Sequence, residues 1–163
     1  MAGFSEQLLK HPYYGNPALP AFGKVKQIMD NYDNWIKLAN ETGIDLGFGT
    51  DVVVSSLSTS RGIRDFQMGQ WGESFGNFKT LQAMTSDNGR LMAFTGKNNP
   101  YPGKLGVIEK GAYADIILVD GNPLEDLGLL GASIDMWAPP RTERTIKTIP
   151  FVMKDGKIYK DSL

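Results

Sequence analysis

Gly43-Ile44-Asp45-Leu46-Gly47-Phe48-Gly49-Thr50-Asp51 is the stretch on which the fold class turns. It opens on a glycine, the usual stop of a helix, because glycine enters the left-handed conformation without a Cβ penalty. Ile44 to Phe48 is short and mostly apolar, as a buried strand of a parallel sheet is. The run closes on polar Thr50-Asp51. Just upstream, residues 24–42 space Val25, Ile28, Met29, Tyr32, Trp35, Ile36 and Ala39 at helical intervals, which predicts an amphipathic helix with one apolar stripe. Helix, glycine, strand and polar residue in succession form the repeat grammar of a parallel α/β fold.

Working outward, residues 1–23 are dense in turn formers (Pro12, Gly15, Asn16, Pro17, Pro20, Gly23) and read as a loop. Residues 52–72 start with Val52-Val53-Val54, pass through Ser55, Ser56, Ser58 and Ser60, and reach Arg61, Arg64 and Asp65; they read as a long loop, a kind of segment that often carries function. A helix is predicted over 73–84, weakened by Gly76, with Glu73 at its start where a negative charge suits the helix dipole. Ser86 is placed to cap a second short helix bearing Leu91, Met92 and Phe94. After the turn-dense 96–103 the texture becomes β. Val107-Ile108-Glu109 is a short candidate strand, and Ala114 to Asp120 is an apolar run closed by Gly121-Asn122-Pro123, as a buried strand is. Thr145 to Lys154 and Lys157 to Lys160 flank Asp155-Gly156, a strong hairpin signal. Pro150 requires the first arm to be an edge or to begin after it.

Bulk properties narrow the function. The chain has 163 residues, room for one ordinary domain or two small ones. A net charge of -1 argues against a partner that is a nucleic acid, whose binders carry a basic excess. No apolar run has the length of a membrane span, so no membrane partner is expected. The start, Met1-Ala2-Gly3-Phe4-Ser5-Glu6, lacks the basic and apolar regions of a signal peptide. There are no cysteines and one histidine, His11, so disulfides are excluded and a self-contained zinc site, which takes three or four ligands, is not expected. His11 stands among Lys10, Pro12, Tyr13 and Tyr14 and reads as a loop surface residue.

Four stretches in order resemble the amidohydrolase superfamily. Gly43 to Asp51 is similar to the segment that forms the eighth barrel strand and ends in Gly-Thr-Asp. Pro102 to Glu125, PGKLGVIEKGAYADIILVDGNPLE, resembles the C-terminal signature in which the chain leaves the barrel for a small β-sandwich. Between them Leu81 to Leu91 resembles the family's A-x-T-x-N-A-A-x-x-L helix, and Phe151 to Ile158 resembles its final V-x-x-G-K-I hairpin. The resemblance spans roughly residues 24–160, and the imidazolonepropionase-like and prolidase-like branch is the most similar. It implies the terminal part of a (β/α)₈ barrel in residues 1–95 and β-sandwich strands in residues 96–163. It also implies a metal-dependent hydrolase of C–N bonds, acting on a small amide or peptide-like substrate. A divalent metal, zinc in the parent enzyme, would be held mainly by a His-x-His pair and further histidines that this sequence does not contain. The chain is then the C-terminal part of a longer parent, with Met1 internal to it, inactive by itself and prone to associate with its own copies. A non-catalytic α/β interaction module is the alternative.

Asp51 carries the chemistry in this reading. Taken alone, an Asp after Gly-Thr is a common turn residue or helix cap. Given the downstream signature, the resemblance makes Asp51 both a metal ligand and the catalytic base. A carboxylate at the C-terminal end of a barrel strand faces the mouth where active sites lie, and it can take a proton from the attacking water and hand it to the leaving nitrogen. Arg61 and Arg64, in the segment after Asp51, are candidates for a bidentate grip on a substrate carboxylate; solvated loop charges are the plainer reading. Asp115 and Asp120 flank a strand and are expected to satisfy turns.

Overall fold

The computed structural model describes residues 9–50, 57–135 and 147–163, with side chains from residue 62 onward in the second of these stretches. Helix α1 spans Pro20–Thr42, one turn longer at its start than the periodicity predicts. Pro20 occupies the first turn, where its missing N–H costs nothing. Gly43 ends the helix at φ 61° and ψ 26°, the left-handed cap expected of it. Val25, Ile36 and Ala39 are buried, while Lys26–Asp30 and Lys37–Glu41 pair along the solvent side. Such exposed pairs contribute only tenths of a kcal/mol, so α1 is held by its packing. Trp35 meets Phe75 edge-on at 5.7 Å, and Asn40 donates to the Ser74 carbonyl at 3.3 Å.

The segment expected to be a long loop is largely helical. Helix α2 runs from Leu57 to Phe75, so Arg61 and Arg64 lie on a helix, and Glu73 sits in its last turn and not at a helix start. The glycines that disguise this helix in the sequence have a packing reason. A Cβ on Gly69 would lie 2.2 Å from the Ser133 carbonyl oxygen, and one on Gly72 would lie 2.8 Å from Leu127 Cδ1. The chain at 127–133 therefore rests directly on the α2 backbone, with Ser133 N bonded to the Asp65 carbonyl at 2.9 Å. Phe66 and Met68 are buried on α2, and Met68, Leu127 and Ala132 form a core joined by Phe48, Leu81, Met84 and Leu130.

Gly76, at φ 81°, breaks the path into helix α3, Asn77–Gln82. A five-residue π turn, Ala83–Asp87, follows, and then helix α4, Asn88–Ala93. Gly106 lies against this π turn, where a Cβ would come within 2.2 Å of the Thr85 carbonyl oxygen.

Two expected strands are absent. Residues 44–50 form no strand among the described residues, and neither do Val107-Ile108-Glu109. A strand needs a hydrogen-bonded neighbour, and among the described residues the hydrogen bonds of 44–50 run to helices. Among the described residues, one sheet forms, three-stranded and antiparallel in the order β1 (Ile116–Leu118), β2 (Phe151–Lys154), β3 (Lys157–Asp161), with an isolated parallel bridge between Lys104 and Ala112. Ile117 faces Val152, and a bulge falls between Val152 and Met153. As predicted, β2 begins after Pro150, and Asp155-Gly156 turns the hairpin with φ 51° and 74°, the two positive values of a type I′ turn. The sheet is less buried than expected, with Ile117 46% and Leu118 43% exposed. Asp115 accepts from the Asp155 backbone at 2.8 Å, the turn role expected of it. Desolvation, which lowers the pKa of the exposed Lys154, is outweighed by Asp115 and then Asp155, and the ammonium is held above its ordinary value. Asp120 donates its N–H to the Thr148 carbonyl at 2.8 Å.

Candidate functional site

The path to Asp51 is fixed from the helical side. Phe48 gives its N–H to the Ala83 carbonyl at a long 3.5 Å and accepts from Asn88 Nδ2 at 2.9 Å. Two residues on, the Thr50 carbonyl accepts from Gln67 Nε2 at 3.2 Å. Side-chain amides from α4 and α2 thus take the place that the N–H groups of a neighbouring strand would fill. Gly47 makes this possible: a Cβ there would sit 2.7 Å from Asn88 Oδ1 and 2.3 Å from Leu91 Cδ1. The Phe48 ring stands edge-on to Trp71 at 5.3 Å, and Trp71 lies 5.0 Å from Phe75. A row of rings therefore links this segment to α1 through Trp35.

Asp51 itself lies outside the described residues, and so does the side chain of Arg61. The structure takes the chain to Thr50, one residue short of the expected base. Arg64 is described: its guanidinium bonds the carboxylate of its neighbour Asp65 through Nε at 2.9 Å and also through Nη2. Asp65 is almost fully buried, and burying a charged group is costly unless it is paired and hydrogen-bonded. In this arrangement Arg64 neutralises Asp65. Gln70, also buried, donates to Glu73 Oε2 at 3.2 Å, which gives Glu73 a structural contact. The sequence singled out none of Asp65, Gln67, Gln70 and Asn88. No spacing marks them: Phe66 and Met68, two residues apart, lie on opposite sides of α2, so the helix is buried on more than one side and Asp65 and Gln70 stand out from no single apolar face.

A cleft of about 220 Å³ opens beside residues 43–46 and is lined by Trp71, Phe75, Lys79, Asp87 and Arg90 among others. Arg90 spans Asp45 at 3.2 Å and Asp87 at 3.0 Å, so these charges satisfy one another. No three His, Asp or Glu side chains gather to hold a metal among the described residues. His11 takes the Tyr13 N–H on Nδ1 at 3.2 Å and lies 5.1 Å from the Tyr14 ring at a tilt of 47°. The donor set described here therefore does not fit a catalytic divalent metal, which needs several protein ligands. No described helix is long and apolar enough to cross a membrane.

No family model matches the sequence, and no curated protein matches it. Solved structures do. A prolidase crystallised with N-methylphosphonate-L-proline is 25% identical, with a TM-score of 0.62, over 99% of this chain and 34% of that chain. An amidohydrolase is 22% identical, with a TM-score of 0.64, over 100% of this chain and 34% of that chain. This chain therefore spans about a third of the length of the structures it matches. The four stretches quoted from the sequence agree with these likenesses: the chain is similar to a portion of a prolidase and has the fold of a portion of an amidohydrolase.

Proposed function

We propose that the chain is the C-terminal portion of a metal-dependent amidohydrolase that hydrolyses C–N bonds in a dipeptide-like or cyclic amide substrate. The observation that carries the reading is the likeness of nearly all of this chain to 34% of a prolidase and of an amidohydrolase. In this reading residues 1–95 belong to the end of a (β/α)₈ barrel and residues 96–163 to the β-sandwich beside it. Asp51 follows the clamped Gly49-Thr50 and is the catalytic base: it accepts a proton from the attacking water and delivers it to the leaving nitrogen. Arg61 and Arg64 are the candidate contacts for a substrate carboxylate, and Arg64 must leave Asp65 to serve. No metal site forms among the described residues; in this reading Asp51 would be one ligand of a zinc or other divalent ion, whose remaining ligands would be the histidines of the parent enzyme.

The test has two arms. The purified 163-residue chain, given zinc and an Xaa-Pro dipeptide, turns over no faster than buffer. Joined to polypeptide that carries the His-x-His pair and the remaining histidines, it hydrolyses the dipeptide, and Asp51→Asn lowers kcat by about 10²–10⁴, the usual worth of a general acid–base group. Metal-dependent turnover by the chain alone refutes the first arm, and an unchanged kcat in the variant refutes the second.

A further inference from the structure

The last carbonyl before Asp51 is held from α2. Gln67 Nε2 donates to the Thr50 carbonyl at 3.2 Å, and that planar peptide unit also contains the nitrogen and Cα of Asp51. A bond to the oxygen therefore fixes the plane from which Asp51 departs. The other clamp, Asn88 on the Phe48 carbonyl, does not do this. Gly49 intervenes, glycine leaves the backbone free to turn, and a Cβ there would meet nothing within 4 Å. The mount of the Gln67 clamp is firm: Phe66 and Met68 on either side of it are buried, and Gly69 rests on the Ser133 backbone. Stability alone does not favour an amide here. Gln67 Oε1 is buried, enclosed by the chain's own atoms, and has no hydrogen-bond partner among the described residues. One neutral hydrogen bond adds little net stability, whereas a buried acceptor left unpaired costs as much or more. An apolar side chain of the same length would remove the orphaned atom. Residues that break a local rule with no gain in stability are expected at functional sites.

We propose that Gln67 is a positioning residue: by holding the Thr50 carbonyl it sets the direction in which Asp51 enters the reaction. The inference rests on the reading of Asp51 as the base. Gln67 acts through Asp51 and not on the reacting atoms. The Asp51 carboxylate must lie within hydrogen-bond reach of the attacking water and then of the leaving nitrogen. A misplacement of about 1 Å is enough to slow such a step by about 10². Binding of the substrate in its ground state does not need that alignment, so loss of the clamp lowers kcat and kcat/KM together and leaves KM as it was.

The test uses the chain joined to polypeptide that carries the histidines, assayed with an Xaa-Pro dipeptide. Four variants are compared: Gln67→Met, Gln67→Glu, Asp51→Asn, and Gln67→Met combined with Asp51→Asn. Gln67→Met keeps the length and removes both the donor and the orphaned acceptor; kcat is expected to fall about 10–100-fold, with KM unchanged and Tm little moved. Gln67→Glu keeps the shape and, when ionised, has no donor, so kcat falls likewise; this variant decides if the apolar side chain lowers Tm. On top of Asp51→Asn, Gln67→Met has no further effect, because residues that act as a unit are not additive. An unchanged kcat in Gln67→Glu overturns the proposal. So does a loss from Gln67→Met that is repeated in full on top of Asp51→Asn, the mark of a purely structural role. A kcat indifferent to Asp51→Asn is a separate failure: it removes the base itself, and the positioning role with it, whatever the Gln67 variants do.

Discussion

Replacing a helical glycine by alanine should have opposite effects at two positions of this chain. Gly23 lies in the second turn of α1, and a Cβ there meets nothing within 4 Å. Gly23→Ala therefore collects only the helix-propensity difference, a gain of about 0.5–1 kcal/mol. Gly69, inside α2, would collect the same gain, but its Cβ would lie 2.2 Å from the Ser133 carbonyl oxygen and 2.8 Å from the carbonyl carbon. Backbone cannot swing aside as a flexible side chain does. Overpacking of this kind costs about 1–3 kcal/mol. Pushing the 133 peptide away also stretches its bond to the Asp65 carbonyl, worth about 1 kcal/mol. Against the propensity gain, Gly69→Ala is destabilising by about 1–3 kcal/mol. For a chain of this length each kcal/mol moves Tm by roughly 2–4 °C, so Gly23→Ala raises Tm by a few degrees and Gly69→Ala lowers it by about 2–12 °C. Thermal and urea unfolding followed by circular dichroism measure both. If Gly69→Ala is as stable as Gly23→Ala, the 127–133 segment does not rest on α2 as described.

Two further outcomes follow from the clamp and the hairpin. Asn88→Leu removes the donor to the Phe48 carbonyl and leaves that acceptor without its side-chain partner; a loss of about 1–2 kcal/mol and faster amide exchange at Phe48 are expected, and unchanged exchange would show that Asn88 does not restrain the segment. Gly156→Ala forces a Cβ into a φ of 74°, costing about 1–2 kcal/mol of backbone strain, while Gly156→Asn, which tolerates that region, costs less; equal urea midpoints for the two variants would contradict a type I′ turn.

The legible parts of the fold were those whose signal is local. The apolar spacing from Val25 to Ala39 is complete within one helix, and Gly43 stops it where the left-handed cap lies. Asp155-Gly156 encodes a turn by its own backbone preferences, and Pro150 marks where β2 cannot start. Helix α2 was hidden because Gly62, Gly69 and Gly72 together with the serines imitate a loop, and the cause of at least two of the glycines is a segment more than fifty residues away in sequence. The strand expected at Ile44 to Phe48 rests on a sound apolar pattern, but a pattern names only half of a ladder and the neighbour is not among the described residues. Of the candidate site, Asp51 is marked in the sequence by its motif and falls outside the described residues, whereas Gln67 and Asn88, which hold the two carbonyls leading to it, carry no motif of their own. Side-chain amides that stand in for a strand become recognisable only when three elements are seen together.

The π turn at Ala83–Asp87 sets a constraint on how this sequence can vary. A π turn carries one residue more per hydrogen-bonded loop than an α turn, and one residue of an α-helix is about 100° of rotation. The surplus residue therefore works like a click on a dial between α3 and α4. Losing any one residue from this stretch would make the helix more regular and also swing Asn88 roughly a quarter of a revolution from the Phe48 carbonyl. Length changes between residues 83 and 87 should be far less tolerated than exchanges of residue type at exposed Thr85, although the shorter helix would look better formed by every local criterion.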